Sequence, residues 1–211
     1  MKQIFLSLFA IASISYAAAP SAPSGCVLVQ PNNIQVTWKA YKTPEKIGVD
    51  GKFTAVKYIP VSLEGKNFRE LFVGSKVNID TSKITTGNPE RDKKLLTFFF
   101  AMMQPNTIKA KIVDIKRSDT HEKGKPKTGS LSVEITMNGQ TQTVPMQYVY
   151  NKGKFDATGT IDLLNFAAGD ALASINKACY DLHKGKTWSD VTIGFSTTVE
   201  ATLCHTNIAK K

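Results

Sequence analysis

Nothing in this sequence is spaced for redox, metal or nucleophilic chemistry. Its three cysteines, Cys26, Cys179 and Cys204, form no CxxC and no CxxCH, which excludes a redox dithiol and attached c-type haem. Histidine is as scarce. His121, His183 and His205 lie far apart with no HExxH spacing, so each reads as a satisfied surface side chain and no metal site is expected. Ser130, Ser132 and Ser196 sit on polar strand faces without a GxSxG elbow, and no glycine-rich loop follows a strand, leaving a serine hydrolase and a phosphate-loop enzyme without support. Acids are the minority sign, 17 against 27 Lys and Arg, for a formal charge of +10. The lysines are scattered rather than blocked, so the surplus reads as a solvated basic surface and not as a nucleic-acid site.

No apolar run is long enough to span a bilayer. The only run of note is at the start, where Lys2 precedes apolar residues 4–14 and then small residues. That is the layout of a cleavable secretory signal. Ser15 and Ala17 favour cleavage after Ala17, because cleavage after Ala19 would leave Pro20 immediately downstream. A lipoprotein reading of PSGC around Cys26 is weaker, since Pro23 stands where a branched apolar residue is wanted. Residues 1–17 are therefore read as a signal peptide, 18–25 as a flexible leader, 26–204 as the folded domain and 205–211 as a tail. The mature chain would hold 194 residues at a formal charge of +9, enough for one large domain or two small ones. In an exported, oxidising setting three cysteines allow one internal bridge and one leftover thiol.

What the chain does have is period-two alternation. Ile34, Val36, Trp38 and Ala40 share one strand face; Phe53, Ala55 and Lys57 are assigned to another, followed by Val77 and Ile79. Ile108, Ala110 and Ile112 alternate and then slip phase at Val113, which predicts a bulge. Leu131, Val133, Ile135 and Met137 run into Asn138-Gly139 and return as Val144, Met146, Tyr148 and Tyr150, a hairpin with a tight turn. A second turn at Asn151-Lys152-Gly153 leads to Phe155, Ala157, Gly159, Ile161 and Leu163, and a long last strand carries Val191, Ile193, Phe195, Thr197 and Val199.

Two segments have helical spacing instead. Asn88 is a good N-cap, Pro89 suits the first helical position and Pro105 marks a stop. Between them Leu95, Phe98, Phe99 and Met102 fall on one stripe, widened by Leu96, Phe100 and Met103 beyond what one packing face needs. Leu172, Ile175, Cys179 and Leu182 share a face of the second. Long antiparallel strands with polar outer faces must stack as two sheets or close into a barrel.

The successive segments VTWKAYKTPEKIGVDGKFTAVKY, NPERDKKLLTFFF, TGSLSVEITMNGQTQTVPMQY and GTIDLLNF resemble, in order and over residues 26–204, the YceI-like family of bacterial secreted proteins. The resemblance implies an all-β fold, an eight-stranded antiparallel lipocalin-like barrel with two helices packed on or across it. It also implies a periplasmic location and a cavity for a long-chain amphiphile such as a polyisoprenoid or fatty amide.

On that frame the interior lining is expected from Trp38, Phe53, Phe99, Met102, Met146, Tyr148 and Phe195, with Phe100 packing helix to wall and Arg91 meeting a polar head at the mouth. Arg91 and Asp92 have an alternative use in capping and a surface ion pair. No catalytic residue, cofactor or metal is expected. The function read from this is a carrier or store of such a lipid, not an enzyme. The alternatives are an enzyme acting on the lipid, for which no nucleophile–base pair is present, and a basic adaptor for anionic membrane or polymer. Transient membrane contact is compatible with the basic surface, and the oligomeric state is open. If a barrel closes by pairing its first and last strands, Cys26 meets Cys204 and Cys179 is left as a buried thiol; Cys179 with Cys204 is the competing pair.

Overall fold

The structure is a computed structural model that describes residues 27–119, 122 and 124–202. The expected signal peptide, leader and tail, and with them Cys26 and Cys204, lie outside the described residues.

The chain forms β1 (Leu28–Val29), β2 (Gln35–Lys42), β3 (Ile47–Phe53), β4 (Val56–Ile59), β5 (Glu64–Gly65), α1 (Phe68–Phe72), β6 (Lys76–Asp80), β7 (Ile84–Thr85) and α2 (Pro89–Phe98). A 3-10 turn at Phe100–Met102 leads to β8 (Thr107–Arg117), β9 (Lys127–Met137), β10 (Gln140–Asn151) and β11 (Lys154–Asp162). A second 3-10 turn at Leu163–Phe166 precedes α3 (Gly169–Ala178), α4 (Tyr180–His183), β12 (Thr187–Thr198) and β13 (Glu200–Ala201). Ten strands make one curled antiparallel sheet in the order β4-β6-β8-β9-β10-β11-β12-β2-β3-β7, and β13-β1-β5 form a small second sheet.

Mostly-β architecture with few helices follows the alternation in the sequence, and the large sheet is divided into ten strands where eight were expected. Two of the expected long strands are each broken at one seam. Phe53 pairs with Ile84 and Val56 with Ile79, so Thr54 and Ala55 face a longer detour through residues 80–83. Asp80 builds that detour, its carboxylate accepting from the Ser82 N–H at 2.9 Å, as an Asx turn does. The seam stays bonded across the break, Thr54 N–H to the Lys83 carbonyl at 2.8 Å and Asp80 N–H to the Ala55 carbonyl at 3.2 Å. It also reverses the side-chain phase. Val56 and Tyr58 turn inward after Phe53 while Lys57 is exposed, which corrects the shared face expected for Phe53, Ala55 and Lys57. The chain leaves extended geometry at Thr54 and Ala55, so the alternation restarts out of phase beyond them, and a one-residue change of phase is enough to exchange faces because the strand period is two.

Elsewhere the local signals hold. The β8–β9 register shifts between Ile112 and Asp114, where the slip at Val113 predicted a bulge. Asn138 and Gly139 take φ values of 49° and 74°, the double left-handed pair of a two-residue hairpin turn. Leu131, Val133, Ile135 and Met137 are all buried, with Leu131 opposite Met146 and Val133 opposite Val144.

One helix was absent from the sequence reading. α1 is capped by Asn67, whose side-chain oxygen accepts from the Glu70 N–H at 2.9 Å while the Glu70 carboxylate accepts from the Lys66 N–H at 2.9 Å. Its Leu71 and Phe72 are fully buried. Phe68 and Phe72 pack among Tyr148, Tyr150 and Phe155, with Phe72 and Phe155 ring centroids 4.6 Å apart. This aromatic plug fills one end of the curled sheet, and each fully buried ring contributes about 1.5–3 kcal/mol. Arg69 ties α1 to the β8 bulge through a 2.6 Å bond from Nη1 to the Asp114 carboxylate. That bond holds the Asp114 carboxyl below its usual range. Gln30, also buried, donates to the Ser62 and Leu71 carbonyls and accepts from the Tyr58 hydroxyl, so its side chain joins β4 and α1 behind the plug.

Candidate functional site: an apolar cavity in two chambers

The opposite end of the sheet is left to the helices. α2 lies against α3 and the 3-10 turn at Phe100–Met102, and α3 against the start of β12. Between them and the strand ends is a cavity of about 320 Å³. A deeper chamber of about 110 Å³ adjoins it toward the plug. Trp38, Phe53, Ile108 and Ile193 line both chambers, so the two follow one another inside the sheet.

The outer chamber has apolar walls from Leu95 and Phe99 at the end of α2, Leu172 and Ile175 of α3, and Val191. Its rim carries the charges: Glu90, Arg91 and Lys94 on the first turns of α2, Lys42 at the end of β2, and His183 in α4. The inner chamber is walled by Val36, Ile79, Ile112, Val133, Met146 and Phe195. This is the form of a small-molecule site, concave and apolar with a few polar groups at one end.

Of the residues expected to line the interior, Trp38, Phe53 and Phe99 face the outer chamber, while Trp38, Phe53, Met146 and Phe195 face the inner one. Tyr148 is buried but lines neither; it stacks on Phe155 in the plug, with centroids 4.9 Å apart. Met102 corrects the expectation outright. It is 51% exposed, whereas Met103 is 2% exposed and part of the core. The cause is that α2 ends at Phe98 and the chain continues as a 3-10 turn, in which residues advance by 120° rather than 100°. The helical stripe therefore does not extend to Met102. Phe100 packs edge-on against Phe53 at 6.1 Å and Phe99 at 5.1 Å, and it too touches the outer chamber.

Arg91 lines the rim, but its guanidinium is held by the Thr86 hydroxyl at 2.8 Å and the Thr86 carbonyl at 2.9 Å. Asp92 accepts from the Thr86 N–H at 2.8 Å. The two neighbours thus brace one loop instead of forming a pair with each other.

Two rim residues were not singled out from sequence as part of a site. His183 Nδ1 lies 2.7 Å from the Thr187 hydroxyl, and burial, with Lys42 and Lys94 beside it, pushes its pKa below the ordinary 6.5. Trp188 donates from Nε1 to the Thr43 carbonyl at 2.8 Å, and the Lys46 and Lys186 ammonium groups stand 4.8 and 4.6 Å from its ring. Such cation–π contacts keep the ring in place at the rim. Neither residue has a spacing signal; only the meeting of α4 with the start of β12 brings them to the mouth.

With this geometry in view, the comparisons bear on one point. The YceI-like domain matches residues 28–201. The chain belongs to the YceI-like family. Its fold is shared with BcnA of Burkholderia cenocepacia, at 14% identity and a TM-score of 0.53 over 79% of this chain and 96% of that one. It is shared also with a polyisoprenoid binding domain from Saccharophagus degradans implicated in plant cell wall breakdown, at 11% identity and a TM-score of 0.54 over 83% and 98%. No curated protein matches the chain. At these identities the likeness is one of fold, and the YceI-like chain's own lining residues must carry the functional reading.

Proposed function

We propose that this YceI-like protein is an exported carrier or store that holds a long-chain amphiphilic lipid, of polyisoprenoid or fatty-amide type, inside its sheet. The observation that carries the reading is the pair of adjoining apolar chambers with a charged rim at one end and an aromatic plug at the other. Treating β3 with β4 and β6 with β7 as two broken staves makes the sheet an eight-staved barrel, a size whose interior holds one small ligand. A hydrocarbon chain would enter past α2 and α3 and leave its polar head beside Lys42, Lys94 and Arg91. The likeness to a domain that binds polyisoprenoids supports the ligand class. The rim does bring the His183 imidazole to the Thr187 hydroxyl, but that hydroxyl donates its proton to the Asn176 side-chain carbonyl at 2.8 Å and not to the imidazole, so we read the protein as a binder and not an enzyme.

Export to the periplasm rests on residues 1–17. Leu182, 61% exposed at the rim with Lys42 and Lys94, supports transient docking on an anionic membrane during loading.

Gentle purification from an expressing bacterium, organic extraction and mass spectrometry test the reading. A long-chain amphiphile should leave with the protein in near-equal molar amount, and delipidated protein should take up prenyl or acyl probes. Protein that yields no lipid and takes up no probe would overturn it. Binding to acidic vesicles that vanishes with added salt, without lipid inside, would favour the basic adaptor instead.

A further inference from the structure

Among the described residues two buried side-chain polar atoms lack a partner, Trp38 Nε1 and Thr43 Oγ1, and of the two only Trp38 lines the chambers. Trp38 is only 9% exposed and lines both chambers, and its buried Nε1–H meets no acceptor among the described residues. The other described tryptophan, Trp188, does find one in the Thr43 carbonyl. Buried indole N–H groups normally have a partner, because an unmade hydrogen bond in an apolar setting is costly.

The placement of this indole is built in. Gly51 lies directly opposite Trp38 in the β2–β3 ladder, and a Cβ there would fall 2.1 Å from Trp38 Cζ2. Any other residue at position 51 would push the ring away, so the ring lies flat over the glycine where the chambers join. The hydroxyls on the inner chamber, Tyr58 bonded to Gln30 and Ser75 to the Val61 N–H, do not come within hydrogen-bond reach of the Trp38 N–H. A lone water at Trp38 would find one donor and little else, short of the two to four partners that hold buried water.

We infer that the bound lipid carries a neutral acceptor oxygen, a carbonyl or ether, part-way along its apolar length, where it accepts from Trp38 Nε1–H. The inference rests on the lipid-binding reading and adds the chemistry of the ligand's interior segment. A neutral acceptor is required because a carboxylate or phosphate would be buried there against a single donor, and an unpaired buried charge is far more costly than an unpaired dipole. An anionic head belongs at the rim with Lys42 and Lys94. Apolar walls on both sides of Trp38 mean that the acceptor has hydrocarbon on both sides as well.

The test uses delipidated full chain with nitrogen-15-labelled indoles and two probes, hexadecane and a hexadecanone with its carbonyl in mid-chain. Trp38→Phe and Trp188→Phe each assign the two indole N–H resonances, so either variant alone suffices. The ketone should move the Trp38 resonance downfield, leave that of Trp188 in place, and bind about fivefold more tightly than the alkane, as one added hydrogen bond allows. Trp38→Phe should bind both probes alike. Equal binding of ketone and alkane by the unaltered protein, or equal shifts of Trp38 with both, overturns the acceptor while leaving the carrier intact. Failure to bind either probe overturns both readings.

Discussion

Phe99 and Met102, three residues apart, have opposite surroundings: Phe99 lines the outer chamber, and Met102 stands in solvent. Phe99→Glu would place a charge in an apolar wall and should weaken lipid retention by at least about tenfold, or ~1.4 kcal/mol. Met102→Glu should leave retention unchanged. Phe100→Glu should lower stability more than Phe99→Glu, since Phe100 is wedged between Phe53 and Phe99. Lipid content by mass spectrometry together with urea denaturation separates these outcomes, and a Phe99→Glu protein that unfolds would make Phe99 core instead of wall.

His183 supplies a pH-dependent prediction at the same scale. Its folded pKa lies below the ordinary 6.5 because burial, Lys42 and Lys94 disfavour the imidazolium. In that interval the unfolded chain binds more protons, so stability rises with pH. The fold should be free of this penalty above pH ~6.5 and lose stability as pH falls from there through the lowered folded value. Urea midpoints across that range should slope for the native chain and flatten at this site for His183→Asn; parallel curves would exclude the effect.

At the scale of elements, the molecule has two unlike ends. Helices α2, α3 and α4 cover one end while leaving space between them; α1, five residues long, fills the other with Leu71 and Phe72. So short a helix owes its stability to its cap and its packing, not to length. Phe72→Ala removes a fully buried ring and should cost about 3–5 kcal/mol in urea denaturation. A loss near zero would mean that the plug is dispensable. The same contrast explains what could be read from sequence. Asn88-Pro89 at the start of α2 and Asn138-Gly139 in the hairpin announce themselves within two residues. The Asn67–Glu70 capping pattern was present as well, but a five-residue helix is too short to show periodicity.

For the whole molecule, the question is how the two ends of the chain are held. β1 pairs antiparallel with β13, Leu28 opposite Ala201, and the Thr202 N–H donates to the Val27 carbonyl at 2.9 Å. Cys26 and Cys204 adjoin that ladder in sequence, whereas Cys179 is a free, buried thiol beside the outer chamber at the helix-covered end. A Cys26–Cys204 bridge is therefore the pairing we expect. It would close a loop of about 178 residues and add up to about 5 kcal/mol in the loop-entropy account. Peptide mapping without reductant should recover the 26–204 linkage, and Cys179→Ser should leave it intact. Recovery of Cys179 in a disulfide would refute the expectation.

The sequence by itself determined the strand alternation, the hairpin turns, the bulge at Val113 and the start of α2, because each depends on chemistry within a few neighbouring residues: left-handed tolerance at Asn-Gly, a side-chain cap before proline, a break in period two. Only tertiary structure decided which residues meet. The break at Thr54–Ala55 turned Tyr58 inward in place of Lys57, the 3-10 turn after Phe98 exchanged Met102 for Met103, and the plug claimed Tyr148. The place of Trp38 over Gly51 and of His183 at the rim likewise comes from strands and helices distant in sequence. Facing is set by the curvature and register of long-range pairing, and a residue's own neighbours in the chain carry no record of either.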